Sequence, residues 1–134
     1  MSYATATDLA VRFGTPNINK WADLEGDASQ ITTRVAAALL YADSQINMTL
    51  RGGGYAIPVV ASTTDVSLQL TDWAVVIAAH WLYASRGLLD EDKQVHKLEK
   101  LYEQVEEKLM AVRAGKWRLD IRRWAPNSNA PACI

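Results

Sequence analysis

The stretch that most constrains this chain is residues 65–87, a helical segment with no polar side. Read at helical spacing, Leu70, Trp73, Ala74, Ile77, Trp81, Ala84 and Leu88 recur on one face. The opposite face carries Val75, Val76, Ala79, Leu82 and Tyr83, which leaves His80 as the one polar residue between Trp73 and Ala84. A helix that is apolar all round has to be covered all round. A bilayer could do this, but the run is far shorter than the ~20 residues a span requires, and runs of this length are usually buried core helices. What covers the second face is therefore the main question about the fold.

A chain of 134 residues is large enough for one real core and too small for two independent ones. Hydrophobic residues make up 49% and charged residues 22%, close enough to the globular average to argue against wholesale disorder. Five Trp and five Tyr stand against one Phe, a balance favoured where protein meets protein, because both side chains join a large apolar area to a polar handle. The net charge of -1 speaks against a broad basic footprint for nucleic acid. That charge is unevenly spread. Residues 1–112 hold nine basic and fourteen acidic side chains (9 - 14 = -5), and residues 113–134 hold five and one (5 - 1 = +4). An acidic body with a basic tail suits head-to-tail contact between copies or docking on another acidic protein, and a solvated tail without a partner is the alternative. The lone Cys133 provides no disulfide framework and fits a reducing compartment. The opening MSYATATDL has neither the basic nor the apolar region of a secretory signal.

In chain order, Thr7 is expected to cap a short helix ended by Gly14, and Pro16 to open a second short turn over residues 17–21. A long helix should start near Asp27 or Ser29, with Gln30 closing a capping box, and run to Leu50. Its buried stripe would be Ile31, Val35, Leu39, Ala42, Ile46 and Leu50, its close-packing residues Ala36, Ala37 and Ala38, and its solvent side Arg34, Asp43 and Gln45. Gly52, Gly53 and Gly54 end it and read as a hinge, and Pro58 keeps residues 55–60 extended. After the central helix, Gly87 breaks the chain and Asp90 caps an amphipathic helix over residues 91–114, with Val95, Leu98, Tyr102, Val105, Leu109 and Val112 inward. Residues 116–122 alternate polar with apolar, so a short strand is expected with Trp117, Leu119 and Ile121 on one face. Its backbone would pair with residues 55–60 or with another chain. The predicted fold is all-α: a small bundle of two short and three long helices, with an extended C-terminal tail and room for a minor β-pairing. A helical domain spans residues 1–115, and residues 116–134 form the basic, Trp-containing tail, with a disordered end after Pro126.

Little in the sequence points to chemistry. His80 and His96 sit in different helices without metal-ligand spacing, and no nucleophile elbow surrounds any serine, so no enzyme is expected and no cofactor or metal is assigned. Asp23, Glu25 and Asp27 alternate like the start of a calcium loop. The glycine comes too early, however, and the twelfth position is Arg34 where a bidentate Glu belongs, so a solvated acidic turn is the better reading. Lys116, Trp117, Arg118, Arg122, Arg123 and Trp124 interleave cations with aromatics. Single-stranded nucleic acid could use such a tail, and a protein partner could use it equally well. The acidic body favours protein.

The order of several short motifs carries a family resemblance. Tyr3-Ala4-Thr5, Thr7-Asp8-Leu9 and Arg12-Phe13-Gly14 precede an acidic loop and an Ala-rich helix ending in Leu50-Arg51-Gly52. Tyr55-Ala56-Ile57-Pro58-Val59, Trp81-Leu82-Tyr83 and a charged helix ending at Gly115 follow. Over about residues 1–115 this layout resembles the head-tail connector proteins of tailed bacteriophages and prophages, the adaptor or head-completion proteins between portal and tail. The resemblance implies an all-helical subunit, a homo-oligomeric ring of about twelve copies and docking partly through the C-terminal segment. It implies as partners the portal protein, a tail or head-closure protein, and DNA that passes through the channel unread. It also implies a place in the virion neck after assembly in the host cytoplasm, with no membrane. A ring subunit needs two different lateral surfaces. The expected neighbour contacts are Trp73, Val76, Trp81, Leu82 and Tyr83 on the central helix, and the expected portal or neighbour docking residues are the six tail residues named above. The rival reading is a small helical nucleic-acid-binding module that uses the same tail.

Overall fold

A computed structural model of the chain describes residues 3–23, 28–57, 64–84, 93–117 and 119, and structural statements refer to these. The fold is an all-α bundle of two short and three long helices: α1 (Ala6–Phe13), α2 (Thr15–Ala22), α3 (Ile31–Gly52), α4 (Thr64–Ala84) and α5 (Lys93–Arg113). A single 3-10 turn, Ala28–Gln30, leads into α3.

The first helix starts two residues earlier than its sequence cap signal. Thr5, not Thr7, is the N-cap, because its hydroxyl accepts from the Asp8 N–H (3.2 Å) while the Asp8 carboxylate accepts from the Thr5 N–H (2.8 Å). That reciprocal capping box satisfies two orphan donors at once. Gly14 ends α1 at φ 89°, a left-handed conformation that costs glycine little, and Pro16 opens α2 in its first turn. α3 begins at Ile31 with no side-chain cap bond on Gln30. The proposed cap at Asp27 lies outside the described residues, as do residues 58–63 and 85–92.

α4 runs through the centre and touches all four other helices. Its residues 73–79 are all buried, as are Val66, Leu70, Leu82 and Tyr83. The first face packs between α3 and α5. The second face, which the sequence left open, is covered by the two short helices: Tyr83 meets the edge of Trp21 on α2 (ring centroids 6.0 Å apart), and Trp21 meets Phe13 on α1 (5.7 Å). The expectation that Trp73, Val76, Leu82 and Tyr83 serve a neighbouring subunit meets a physical obstacle, since at 0–7% exposure they are already enclosed by their own chain. α1 and α2 are short in sequence, but laid across one face of α4 they suffice to exclude water from it.

α3 buries Val35, Ala38, Ala42, Ile46 and Leu50, with Ile31 and Leu39 partly covered. Asp43, expected in solvent, is buried, because the N-terminal segment crosses over it and the Tyr3 N–H donates to its carboxylate (2.9 Å). The same strap is fixed at two further points. The Tyr3 hydroxyl bonds the Asn47 side-chain oxygen, and Thr71 on α4 donates to the Tyr3 carbonyl (2.8 Å). The glycines after α3 mark a close crossing more than a hinge. A Cβ on Gly53 would sit 3.2 Å from the Val112 carbonyl oxygen at the end of α5.

α5 buries Leu98, Val105, Leu109 and Val112 and half-buries Tyr102, which matches the expected stripe apart from Val95, whose side chain lies outside the described set. Beyond Gly115, at φ 78°, no strand forms among the described residues. Most of the residues expected to pair, 58–60, 118 and 120–122, lie outside the described residues; among those described, Tyr55 holds a bridge position and the Leu119 N–H donates to the Tyr55 hydroxyl (2.9 Å).

Candidate functional site

The described residues build no catalytic cluster. No group of three or more His, Cys, Asp or Glu side chains among them could hold a metal ion, and no described helix is long and apolar enough to cross a membrane. Of the acidic loop, Asp23 is described and Glu25 and Asp27 are not. The surface features that remain are apolar and aromatic.

The first is a groove where α3 and α5 diverge over α4. At one end the Trp81 ring packs against Tyr41 (centroids 6.1 Å apart), and the Arg34 guanidinium lies over Trp81 at 5.7 Å. Among the five expected contact residues on α4, Trp81 alone keeps an intermediate exposure; the others are enclosed. Next along the groove, His80 stacks flat on Tyr102, with centroids 3.8 Å apart and planes 5° apart. Burial pushes the His80 imidazolium down from its ordinary value, against the opposing pull of Glu99 and Glu106. Burial likewise raises the Tyr102 hydroxyl, helped by its hydrogen bond with Glu106 and by the Glu106 charge. Both rings are therefore neutral near pH 7. The groove continues as a cavity of about 210 Å³ between Gln45 and Thr49 of α3, Ile77 of α4 and Tyr102, Glu106 and Met110 of α5. Met110 is 69% exposed, and Met48, two turns beyond Tyr41 on α3, is 60% exposed.

The second feature is a shallow depression at the other end of α4. Val11 on α1 (82% exposed) and Leu68 on α4 (64%) rim one depression with Asp8, Arg12, Thr71 and Asp72. Arg12 pairs with Asp72 at 3.3 Å, in an exposed setting where such a pair contributes about 0–1 kcal/mol. Pattern reading missed this patch because Val11 and Leu68 are single apolar residues, each on the wet side of its own helix. Only the crossing of α1 over α4 brings them together.

Of the tail candidates, Lys116 and Trp117 are described, while Arg118, Arg122, Arg123 and Trp124 lie outside the described residues. The chain beyond Gly115 does not leave the body at once. Trp117 meets the edge of buried Trp73 (5.7 Å, 74°), and Leu119 is itself buried. Trp117 thus has a place in this fold before any partner is considered.

The described residues form a small all-α bundle that leaves several large apolar side chains exposed. Its sequence matches the family described as Bacteriophage Mu, Gp36, over residues 3–132. The match covers nearly the whole chain, so the chain belongs to that family and is a phage protein. No curated protein matches the sequence.

Proposed function

We propose that this phage protein is a structural head-tail connector, an adaptor or head-completion subunit with no catalytic role. It assembles as a ring beneath the portal, joins capsid to tail in the virion neck and leaves a channel for DNA that it does not read. The observation that carries the proposal is the match of residues 3–132 to a bacteriophage family. The surface supports it: an all-α body presents two unlike apolar patches on different faces, the arrangement that heterologous ring contacts require.

In this reading the basic tail from Lys116 onward docks on the portal or on a neighbouring subunit. The test is to mix the purified chain with its phage's portal ring and to follow mass and particle shape. A ring-on-ring complex is expected from the full chain, with loss of attachment when residues 120–134 are removed and the helical content is unchanged. Portal rings that emerge without bound subunits at any concentration would end the connector reading. Tight, salt-dependent binding of single-stranded DNA by the isolated chain would favour the nucleic-acid module instead.

A further inference from the structure

Beyond α5 the chain doubles back onto that helix. The N–H groups of Lys116 (2.9 Å) and Trp117 (3.2 Å) both donate to the Ala111 carbonyl. Trp117 packs on Trp73, and Leu119 is buried with its N–H on the Tyr55 hydroxyl. The returning chain borders a groove of about 570 Å³ on α5, since Lys116 lines its near end. Met110, Ala111 and Ala114 supply an aliphatic floor, and Glu103, Glu106 and Glu107 stand at the far end.

The acids of this groove lack cations. Glu103 is three residues from Glu106 and four from Glu107, spacings at which like charges on a helix repel. Glu106 is engaged by the Tyr102 hydroxyl, whereas among the described residues neither Glu103 nor Glu107 is in an ion pair. The lining holds three acids against one base (3 - 1 = 2 in excess). Past Leu119 the sequence, outside the described residues, reads Asp120-Ile121-Arg122-Arg123-Trp124. It sets two guanidinium groups between two large apolar side chains, complementary to carboxylates beside an aliphatic floor.

We infer that residues 121–124 of the same chain lie in the α5 groove, with Arg122 and Arg123 on Glu103 and Glu107 and with Ile121 over Met110. The reach is sufficient. The chain is back level with Ala111, eight helical residues or about 12 Å from Glu103, and the four residues from Leu119 to Arg123 span about 13 Å when extended. A link this short holds the segment near its own groove at an effective concentration on the order of millimolar, ahead of a second copy in dilute solution. The contact does not depend on the connector reading. Within that reading, it keeps the basic tail on its own body until a partner displaces it.

The test uses the full chain with Cys133→Ser and a new pair of thiols, Lys100→Cys on the exposed face of α5 one turn before Glu103 and Ala125→Cys beyond Trp124. Equilibration with glutathione gives the effective concentration of one thiol at the other. Reversing the tail charges, Arg122→Glu with Arg123→Glu, is expected to lower that value about tenfold, as two exposed ion pairs turned into repulsions supply. Adding Glu103→Arg and Glu107→Arg to the reversed chain should restore it. Raising the salt concentration should lower it in the chain with its original charges, which needs no change on α5. Far-ultraviolet circular dichroism checks that the helices are kept. An effective concentration indifferent to the tail charges or to salt, a folded charge swap that does not restore it, or a disulfide formed between copies instead of within one would each overturn the inference. No portal is present in these measurements, so their outcome leaves the connector reading to its own test.

Discussion

Asp43 is buried on α3, and its carboxylate accepts from the Tyr3 main-chain N–H 40 residues away in sequence. Asp43→Ala should leave that donor unsatisfied and cost about 1–3 kcal/mol in urea denaturation, whereas Asp43→Asn keeps an acceptor oxygen and should retain most of the stability. Tyr3 itself carries a second expectation. Burial, then the Asp43 charge, push its hydroxyl up to about 12, with Arg51 pulling the other way. A raised folded value means that the neutral phenol is the form the fold favours. Its contribution is present below the unfolded value of 10.0 and is lost as pH rises from there through about 12. The melting temperature should therefore fall across that window, and Tyr3→Phe should flatten the fall while losing the bond to Asn47; a melting series at alkaline pH checks both. Neither role was legible in the sequence. On a helical wheel Asp43 belongs with the polar side of α3, and nothing near it announces that the N-terminus will cross above.

At the scale of elements, α4 is decided by enclosure. Ala79 is fully buried on the face that α1 and α2 cover, so Ala79→Leu would force extra volume into a filled space. A loss of about 1–3 kcal/mol is expected, read as a lower denaturation midpoint with an unchanged slope. The same substitution at the 36th residue, Ala36, which is exposed on α3, should be close to neutral, and equal losses at both sites would mean that the short helices do not enclose α4. The periodicity of α4 and α5 was readable because apolar residues at helical spacing report a buried stripe directly. The caps were read less well. Thr5 and Thr7 are both plausible N-caps in sequence, and the reciprocal bond with Asp8 selects Thr5.

At the scale of the whole molecule, the stretch after Gly115 is tied to the body by two side chains far from it in sequence. Tyr55→Phe removes the acceptor for the buried Leu119 N–H while preserving the ring. The expected result is a weakened contact between Trp117 and Trp73, seen as reduced exciton coupling between the two indoles in circular dichroism, with the melting of the helices little changed. Trp81 was legible only as part of the apolar stripe of α4; its partial exposure beside Tyr41 and Arg34 was not, because both of those side chains come from α3. The depression at the other end could not be found, because Val11 and Leu68 come to rim one site only through the crossing of α1 over α4.

By itself the sequence determined the helices and the order in which they come: apolar spacing, glycine and proline stops and the absence of a polar side on α4 are local properties of the chain. Tertiary structure decided which face was hidden and which was left exposed. The excess apolar surface of residues 65–87 looked like a demand for a second subunit, yet α1 and α2 meet most of it through Trp21 and Phe13. Exposure is a property of arrangement, since a side chain is covered by whatever packs over it, and those neighbours come from distant parts of the chain.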